Sequence, residues 1–166
     1  MLELRYDREK AVAYAREWAY RRNPRFYDFD ELGGDCTNFA SQCVYAGAGI
    51  MNYTPVFGWF YIDLNNRTPS WTGVEYFYNF MVNNTGVGPF VREVPLYELM
   101  PGDVVQLKFA GPFFGHTPVV VDVRDPATPD NIFVAAHTYD ADYRPLSTYR
   151  YTQVRALHVV GVRAPK

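Results

Sequence analysis

The chain is expected to fold as α+β, with N-terminal helices packed on a C-terminal antiparallel sheet. Three observations predict this. Apolar residues recur at helical spacing up to about Val82, and from Val91 onward they alternate at strand spacing. Helices first and a meander of strands afterwards favour segregated layers over a βαβ succession. No internal repeat, low-complexity tract or linker interrupts the 166 residues, so residues 1–166 read as one domain with a sizeable core.

Taken in order, Asp7 is placed to cap a helix from about Arg8 to Arg21, whose apolar stripe is Ala11, Tyr14, Ala15 and Trp18. Asn23-Pro24 ends it. Gly33-Gly34 makes a tight turn before Asp35 and Cys36. A second helix then runs to about Ala46, with Gly47 and Gly49 as its stop. Asn52 to Ser70 has no clean period and reads as a long ordered loop. Thr72 and Glu75 have the spacing of a capping box, which predicts a third helix to about Val82. Strands are expected over Val104–Phe109, His116–Val123, Ile132–His137, Tyr149–Gln153 and Leu157–Val162.

Composition excludes several classes. A formal net charge of -2, with no basic run beyond Arg21-Arg22, does not suit a nucleic-acid partner. No apolar stretch approaches the ~20 residues of a membrane span. The charged segment from Met1 to Lys10 does not read as a signal peptide, so an extracellular or wall-acting protein is expected only if a leader has been removed. Aromatics are dense, with 14 Tyr, 12 Phe and 3 Trp. Most must be core, and Trp59, Asn66 and Trp71 are candidates for lining a substrate groove. The two cysteines, Cys36 and Cys43, lie seven residues apart on one helix face, roughly 10 Å between Cα atoms. That exceeds the reach of a disulfide, less than about 7 Å. It also exceeds what two thiolates on one zinc permit, at about 2.3 Å per bond.

Cys36 is the first candidate for chemistry. It follows a Gly-Gly turn at a helix N-terminus, where unpaired N–H groups and the helix dipole favour an anion. Such a thiol can fall from ~8.5 into the ~3.5–7.5 range and act as a nucleophile. The backbone N–H of Cys36, with Asp35 beside it, is the candidate for facing a developing oxyanion. Cys43, mid-helix, reads as core. His116 opens an apolar strand after a glycine-rich loop and is the candidate general base. His137 ends a strand beside Thr138 and Asp140. It is a candidate to orient His116, a task that Asp140, Asp122 or Asn131 also fits. His158 has no polar company in the sequence and reads as structural. A non-catalytic module binding wall peptide or glycan through the aromatics, an acyltransferase using the same Cys-His pair, and a zinc site on Cys36, His116 and His137 are the competing readings. The last lacks any His-Glu-x-x-His helix.

The run Gly33-Gly34-Asp35-Cys36-Thr37-Asn38-Phe39-Ala40-Ser41-Gln42-Cys43 resembles the nucleophile segment of the bacterial putative amidase domain family. So do Asn65 to Val74, Pro101-Gly102-Asp103 and Ala136-His137-Thr138-Tyr139-Asp140, and the likeness extends from about Tyr6 to Arg163. The resemblance, shared with the NlpC and CHAP types, implies a papain-like fold and hydrolysis of an amide, often in cell-wall peptide, through an acyl-enzyme. It implies Cys36 as nucleophile, His116 as general base and His137 as the orienting residue, with no cofactor. One departure is Pro118, where relatives commonly carry an N–H. Proline cannot donate to a ladder, so the strand is expected to start late or to leave His116 on an edge.

Overall fold

The computed structural model describes residues 1–166 and is α+β, with few helices and a large antiparallel sheet. Strand β1 (Leu2–Leu4) leads into α1 (Arg8–Trp18), and the Asp7 carboxylate accepts from the Lys10 N–H at 3.1 Å. This helix stops earlier than its pattern implies, in a turn where the Arg21 N–H still reaches the Trp18 carbonyl.

Helix α2 (Cys36–Ala48) is the centre of the molecule. Ten of its thirteen residues are buried, so it is covered on every side rather than along one stripe. It ends at Gly49, whose φ is +73°. Gly47 has a different part from the stop expected of it. A Cβ there would lie 2.6 Å from the Tyr6 ring and 2.7 Å from the Asp7 carbonyl. Only glycine lets the segment entering α1 cross α2 so closely.

The stretch expected to be a plain loop carries a hairpin, β2 (Tyr61–Asp63) with β3 (Asn66–Arg67), and one helical turn, α3 (Pro69–Thr72). The expected capping box does not form. Helix α4 (Val74–Asn83) starts from Gly73 with no side-chain cap, because Thr72 still belongs to α3.

The remaining strands are β4 (Gly88–Val94), β5 (Val104–Lys108), β6 (Phe114–His116), β7 (Val119–Val123), β8 (Ile132–Ala136), β9 (Ala141–Pro145) and β10 (Gln153–Ala164). The sheet order is β1-β10-β5-β7-β8-β9, with β4 on the other edge of β10 and β6 added to β5. The two strands expected after Tyr149 are one long strand, β10, and Tyr149 lies outside it. As the missing Pro118 N–H predicts, the strand through His116 breaks. β6 ends at His116, and β7 begins at Val119.

Strand alternation builds two cores. Val104, Val119, Val121, Ala135, Leu157 and Val159 face the helices and join the larger cluster around Phe39, Trp59, Trp71 and Phe77. Val105, Leu107, Val120, Ile132, Val134 and Ala156 face the other way and pack with Leu99 and Leu146.

Pro101-Gly102-Asp103 ties the layers together. The fully buried Asp103 carboxylate accepts from Arg8 Nη1 at 2.7 Å, the Val159 N–H at 2.9 Å, the Met100 N–H at 2.8 Å and His158 Nδ1 at 2.9 Å. The Tyr6 hydroxyl donates to the Gly102 carbonyl at 2.8 Å. His158 is therefore structural, but it has the polar partner that the sequence does not reveal. Asp103→Ala leaves buried donors without an acceptor and is expected to cost about 3 kcal/mol or more. Urea unfolding at pH 7 reads this directly, and a loss below about 1 kcal/mol would deny Asp103 its tying role.

Candidate active site at the N-terminus of helix α2

The chain enters α2 through Gly33 and Gly34, with φ of +87° and +95°. At such angles glycine is the default residue. A Cβ on Gly34 would also stand 3.3 Å from Thr138 Oγ1, the atom that accepts the Asp35 N–H at 3.1 Å.

Nearly every polar residue of the following run is spent on holding this helix end. Asp35 Oδ1 accepts from the Phe29 N–H and from Asn38 Nδ2, at 2.8 and 2.9 Å. Asn38 Oδ1 accepts from Trp71 Nε1 at 3.0 Å, and its Nδ2 also donates to the Tyr27 carbonyl at 2.9 Å. The Thr37 and Thr117 hydroxyls are 2.9 Å apart. Ser41 Oγ donates to the Trp71 carbonyl at 2.9 Å and accepts from Trp59 Nε1 at 3.1 Å. Gln42 Oε1 accepts from the Tyr14 hydroxyl. Cys36 is the exception. Its thiol makes only two long approaches, 3.8 Å to Thr37 Oγ1 and 4.0 Å to the Gly115 carbonyl.

His137 sits at the end of β8, buried against this same helix end. Its ring stacks on Phe39 at 3.9 Å between centroids. Nδ1 is hydrogen-bonded to Asp35 Oδ2 at 2.5 Å, and Nε2 donates to the Trp18 carbonyl at 2.8 Å. Both nitrogens are thus committed, and neither reaches His116. The other candidates for orienting His116 are also engaged elsewhere. Asp140 binds Arg22, Asp122 accepts from the Tyr143 hydroxyl, and Asn131 donates to the Pro126 carbonyl. The residues after His137 are strained. Thr138 and Tyr139 have φ of +61° and +58°, and for a β-branched residue such as Thr138 this is an outlier that its surroundings must enforce.

His116 closes β6, next to Gly115, whose carbonyl faces the Cys36 sulfur. The ring is 6% exposed and makes no hydrogen bond to the protein. Its neighbours are Tyr149 at 5.5 Å and Phe109 at 6.5 Å between centroids. A cavity of about 660 Å³ opens here, lined by His116, Gly115, Tyr149, Thr138, Arg144 and Phe109 among others.

The electrostatics leave both groups neutral near pH 7. Burial pushes the Cys36 thiol up, and the adjacent Asp35 carboxylate adds to this. The Thr37 hydroxyl and the backbone amides of Thr37 and Thr117 favour the thiolate but are outweighed. The lowered thiol expected from a helix N-terminus is therefore not realised, because the whole helix end is desolvated. His116 is lowered to about 4, first by burial and then by the Arg144 charge.

Of the other residues singled out in the sequence, Trp59 and Trp71 do not line a groove. Both are fully buried, their rings 4.7 Å apart. Asn66 is exposed in the β2–β3 hairpin. A cavity of about 490 Å³ lies near the segments flanking the hairpin, lined by Asn52, Phe57, Pro69, Tyr76 and Asn84 among others, and it shares no lining residue with the one at His116. The N–H of Asp35 is taken by Thr138, which leaves that of Cys36 as the donor at the helix tip. No group of three His, Cys, Asp or Glu side chains converges in a way that could hold a metal ion. Sequence reasoning missed Tyr149, Arg144 and Thr117, since a pattern of strands and turns gives no sign of which loop folds over His116.

The model of the putative amidase domain matches residues 5–160. The chain belongs to the putative amidase domain family. The name of the family points to amide hydrolysis. Among curated proteins, the uncharacterized protein YhbB of Bacillus subtilis (strain 168) is 36% identical over 142 residues, covering 84% of this chain. The chain spans 43% of that relative's length. No solved structure matches.

Two outcomes are expected of this amidase domain. His137→Phe keeps a ring against Phe39 but strips the buried Asp35 carboxylate of its partner, at a cost of about 3–5 kcal/mol. Denaturant unfolding measures it, and a near-neutral change would show that the pair does not hold the helix end. The second outcome concerns pH. The unfolded chain protonates His116 near 6.5 and the folded chain only near 4, so between these values the unfolded state binds more protons. Stability therefore drops as the pH is lowered through that window, by roughly 2–3 kcal/mol at pH 4.5. In His116→Gln that component disappears, which urea midpoints of parent and variant at pH 7.5 and 4.5 will reveal as a smaller acid loss.

Proposed function

We propose that the chain is a cysteine-dependent amidohydrolase of papain-like architecture, with Cys36 as nucleophile and His116 as general base. The observation that carries this reading is the isolation of Cys36. It is the one polar-capable side chain of the helix tip without a close structural partner, and it lies against the loop that delivers His116 to a cavity. A helix bearing the thiol, packed on an antiparallel sheet bearing the histidine, supports the papain-like assignment and the kinship with the NlpC and CHAP types. That kinship suggests cell-wall peptide as substrate, and residues 1–166 as one catalytic domain.

The chemistry starts from a neutral pair. The Cys36 sulfur attacks the amide carbonyl carbon while its proton passes to His116. The oxyanion develops beside the free N–H of Cys36. The C–N bond breaks as His116 returns the proton to the departing amine, which leaves a thioester. Water then attacks that carbonyl, giving its proton to His116. The thioester collapses to a carboxylic acid, and the thiol is re-formed. Transfer to an amine in place of water would make the same site an acyltransferase, and product analysis separates the two. The alternative of an aromatic binding surface loses part of its motive, because Trp59, Phe60, Tyr61 and Trp71 are buried, and of the aromatics from Tyr53 to Trp71 only Tyr53 and Phe57 are exposed.

Hydrolysis of short acyl-peptide amides, followed by mass spectrometry, tests this. Cys36→Ala and His116→Ala are each expected to lower kcat/KM by at least about a thousandfold. In the parent, a trapped adduct of one acyl group on Cys36 is expected. A Cys36→Ser chain that retains the parental rate would end the proposal.

A further inference from the structure

The cavity at His116 has an uneven charge. Two guanidinium groups line it, Arg144 and Arg150, and no carboxylate does. Elsewhere six arginines of this chain pair with acids, whereas Arg5, Arg25, Arg67, Arg92 and Arg163 do not. Arg8 binds Asp103, Arg16 binds Asp142, Arg22 binds Asp30 and Asp140, and Arg155 binds Glu75. Arg144 and Arg150 have no such partner.

Arg144 is nevertheless fixed. Its Nε donates to Thr148 Oγ1 at 2.7 Å, and its Nη2 donates to the Thr148 carbonyl at 3.1 Å. The plane lies over the Tyr149 ring, 3.6 Å from its centroid. A guanidinium braced in this way keeps the donors of Nη1 free, at little further entropic cost on binding. Arg150 makes no hydrogen bond within the protein and can swing. Beside Arg144, the Tyr149 hydroxyl is buried without a well-formed hydrogen bond, and the Arg144 guanidinium is the polar group close enough to act on it. A buried unpaired hydroxyl is unusual, and each instance calls for an explanation.

We infer that this cavity selects amide substrates carrying a free carboxylate, which Arg144 and Arg150 hold beside the Cys36–His116 pair. The inference rests on the amidohydrolase reading for the reaction, but not for the binding. It also gives the site a logic that the free protein lacks. The Arg144 charge is one of the two causes that hold His116 poorly basic. A bound carboxylate offsets that charge and makes His116 a better base when substrate is present.

Matched substrates test the reaction: glutamyl against glutaminyl p-nitroanilides for the acyl side, and peptides ending in a free acid against the same peptides ending in a carboxamide, followed by mass spectrometry, for the leaving side. The acidic member of at least one pair is expected to have a kcat/KM at least tenfold higher. Arg144→Gln and Arg150→Gln are each expected to reduce that ratio severalfold or more. The second variant removes no hydrogen bond of the fold, so it guards against misfolding of the first. Independently, calorimetry on Cys36→Ala is expected to find binding of the free-acid peptide at least tenfold tighter than of its carboxamide, and weakening with salt. Equal turnover and equal binding of acid and neutral partners would overturn the inference while leaving the amidohydrolase standing. Selective binding of the acid without turnover of any amide would do the reverse.

Discussion

The bond between Asp35 and His137 is the constraint on which the rest of the site depends. At 2.5 Å and fully buried, it joins the end of β8 to the residue immediately before Cys36. A buried polar contact of this kind contributes less net stability than its strength suggests, because both groups lose their hydration. What it supplies is position. His137 is pinned from behind by the Trp18 carbonyl and from the side by Phe39, so the carboxylate can sit in only one place. The turn of Gly33-Gly34 and the strained backbone of Thr138 and Tyr139 are the local accommodations to that fixed point.

This explains why so much of the chemistry-bearing sequence proves to be scaffold. The run from Asp35 to Gln42 carries six polar or sulfur-bearing side chains, counting Cys36 and Thr37, yet all but Cys36 find close partners that tie α2 to α1, to α3 or to the sheet. The elements themselves were legible where a local rule governed them. Asp7 caps α1, Gly49 closes α2, and Pro118 breaks the strand after His116. Local rules failed where a distant group decided the outcome. Gly47 is glycine because Tyr6 crosses there, and Thr72 yields its capping place because Pro69 has already started a turn. His137 looked like a companion for His116, and only the fold reveals that Asp35 and the Trp18 carbonyl occupy both nitrogens.

A second buried chain of hydrogen bonds runs beneath the site. Gln106 accepts from Arg155 on the surface, donates to the Val74 carbonyl at the start of α4, and donates to Thr117 Oγ1 at 3.3 Å. Thr117 meets Thr37, the residue after Cys36. Asp35 and Thr37, the two neighbours of the thiol, are therefore each bonded to a residue of the sheet, one at His137 and the other at Thr117. Cys36 and His116 are held in relation to each other without bonding directly. The helix tip cannot shift relative to β6 unless one of these two connections breaks.

Rigidity of this degree has an electrostatic consequence. Excluding water from the helix tip removes the hydration that would stabilise a thiolate, and it likewise disfavours an imidazolium at His116. A neutral pair in a dry, fixed frame is slow to ionise by itself, but small changes in nearby charge act on it strongly, because the effective dielectric is low. Arg144 is the charge best placed to exert such control, braced on Thr148 and Tyr149 at the cavity wall. A substrate that neutralises it would favour proton transfer to His116 only when the cavity is filled. In such a site, recognition and activation are one electrostatic event, and the fixed positions of Asp35, His137, Thr37 and Thr117 are what allow a charge change at the wall to be felt at the thiol rather than absorbed by movement.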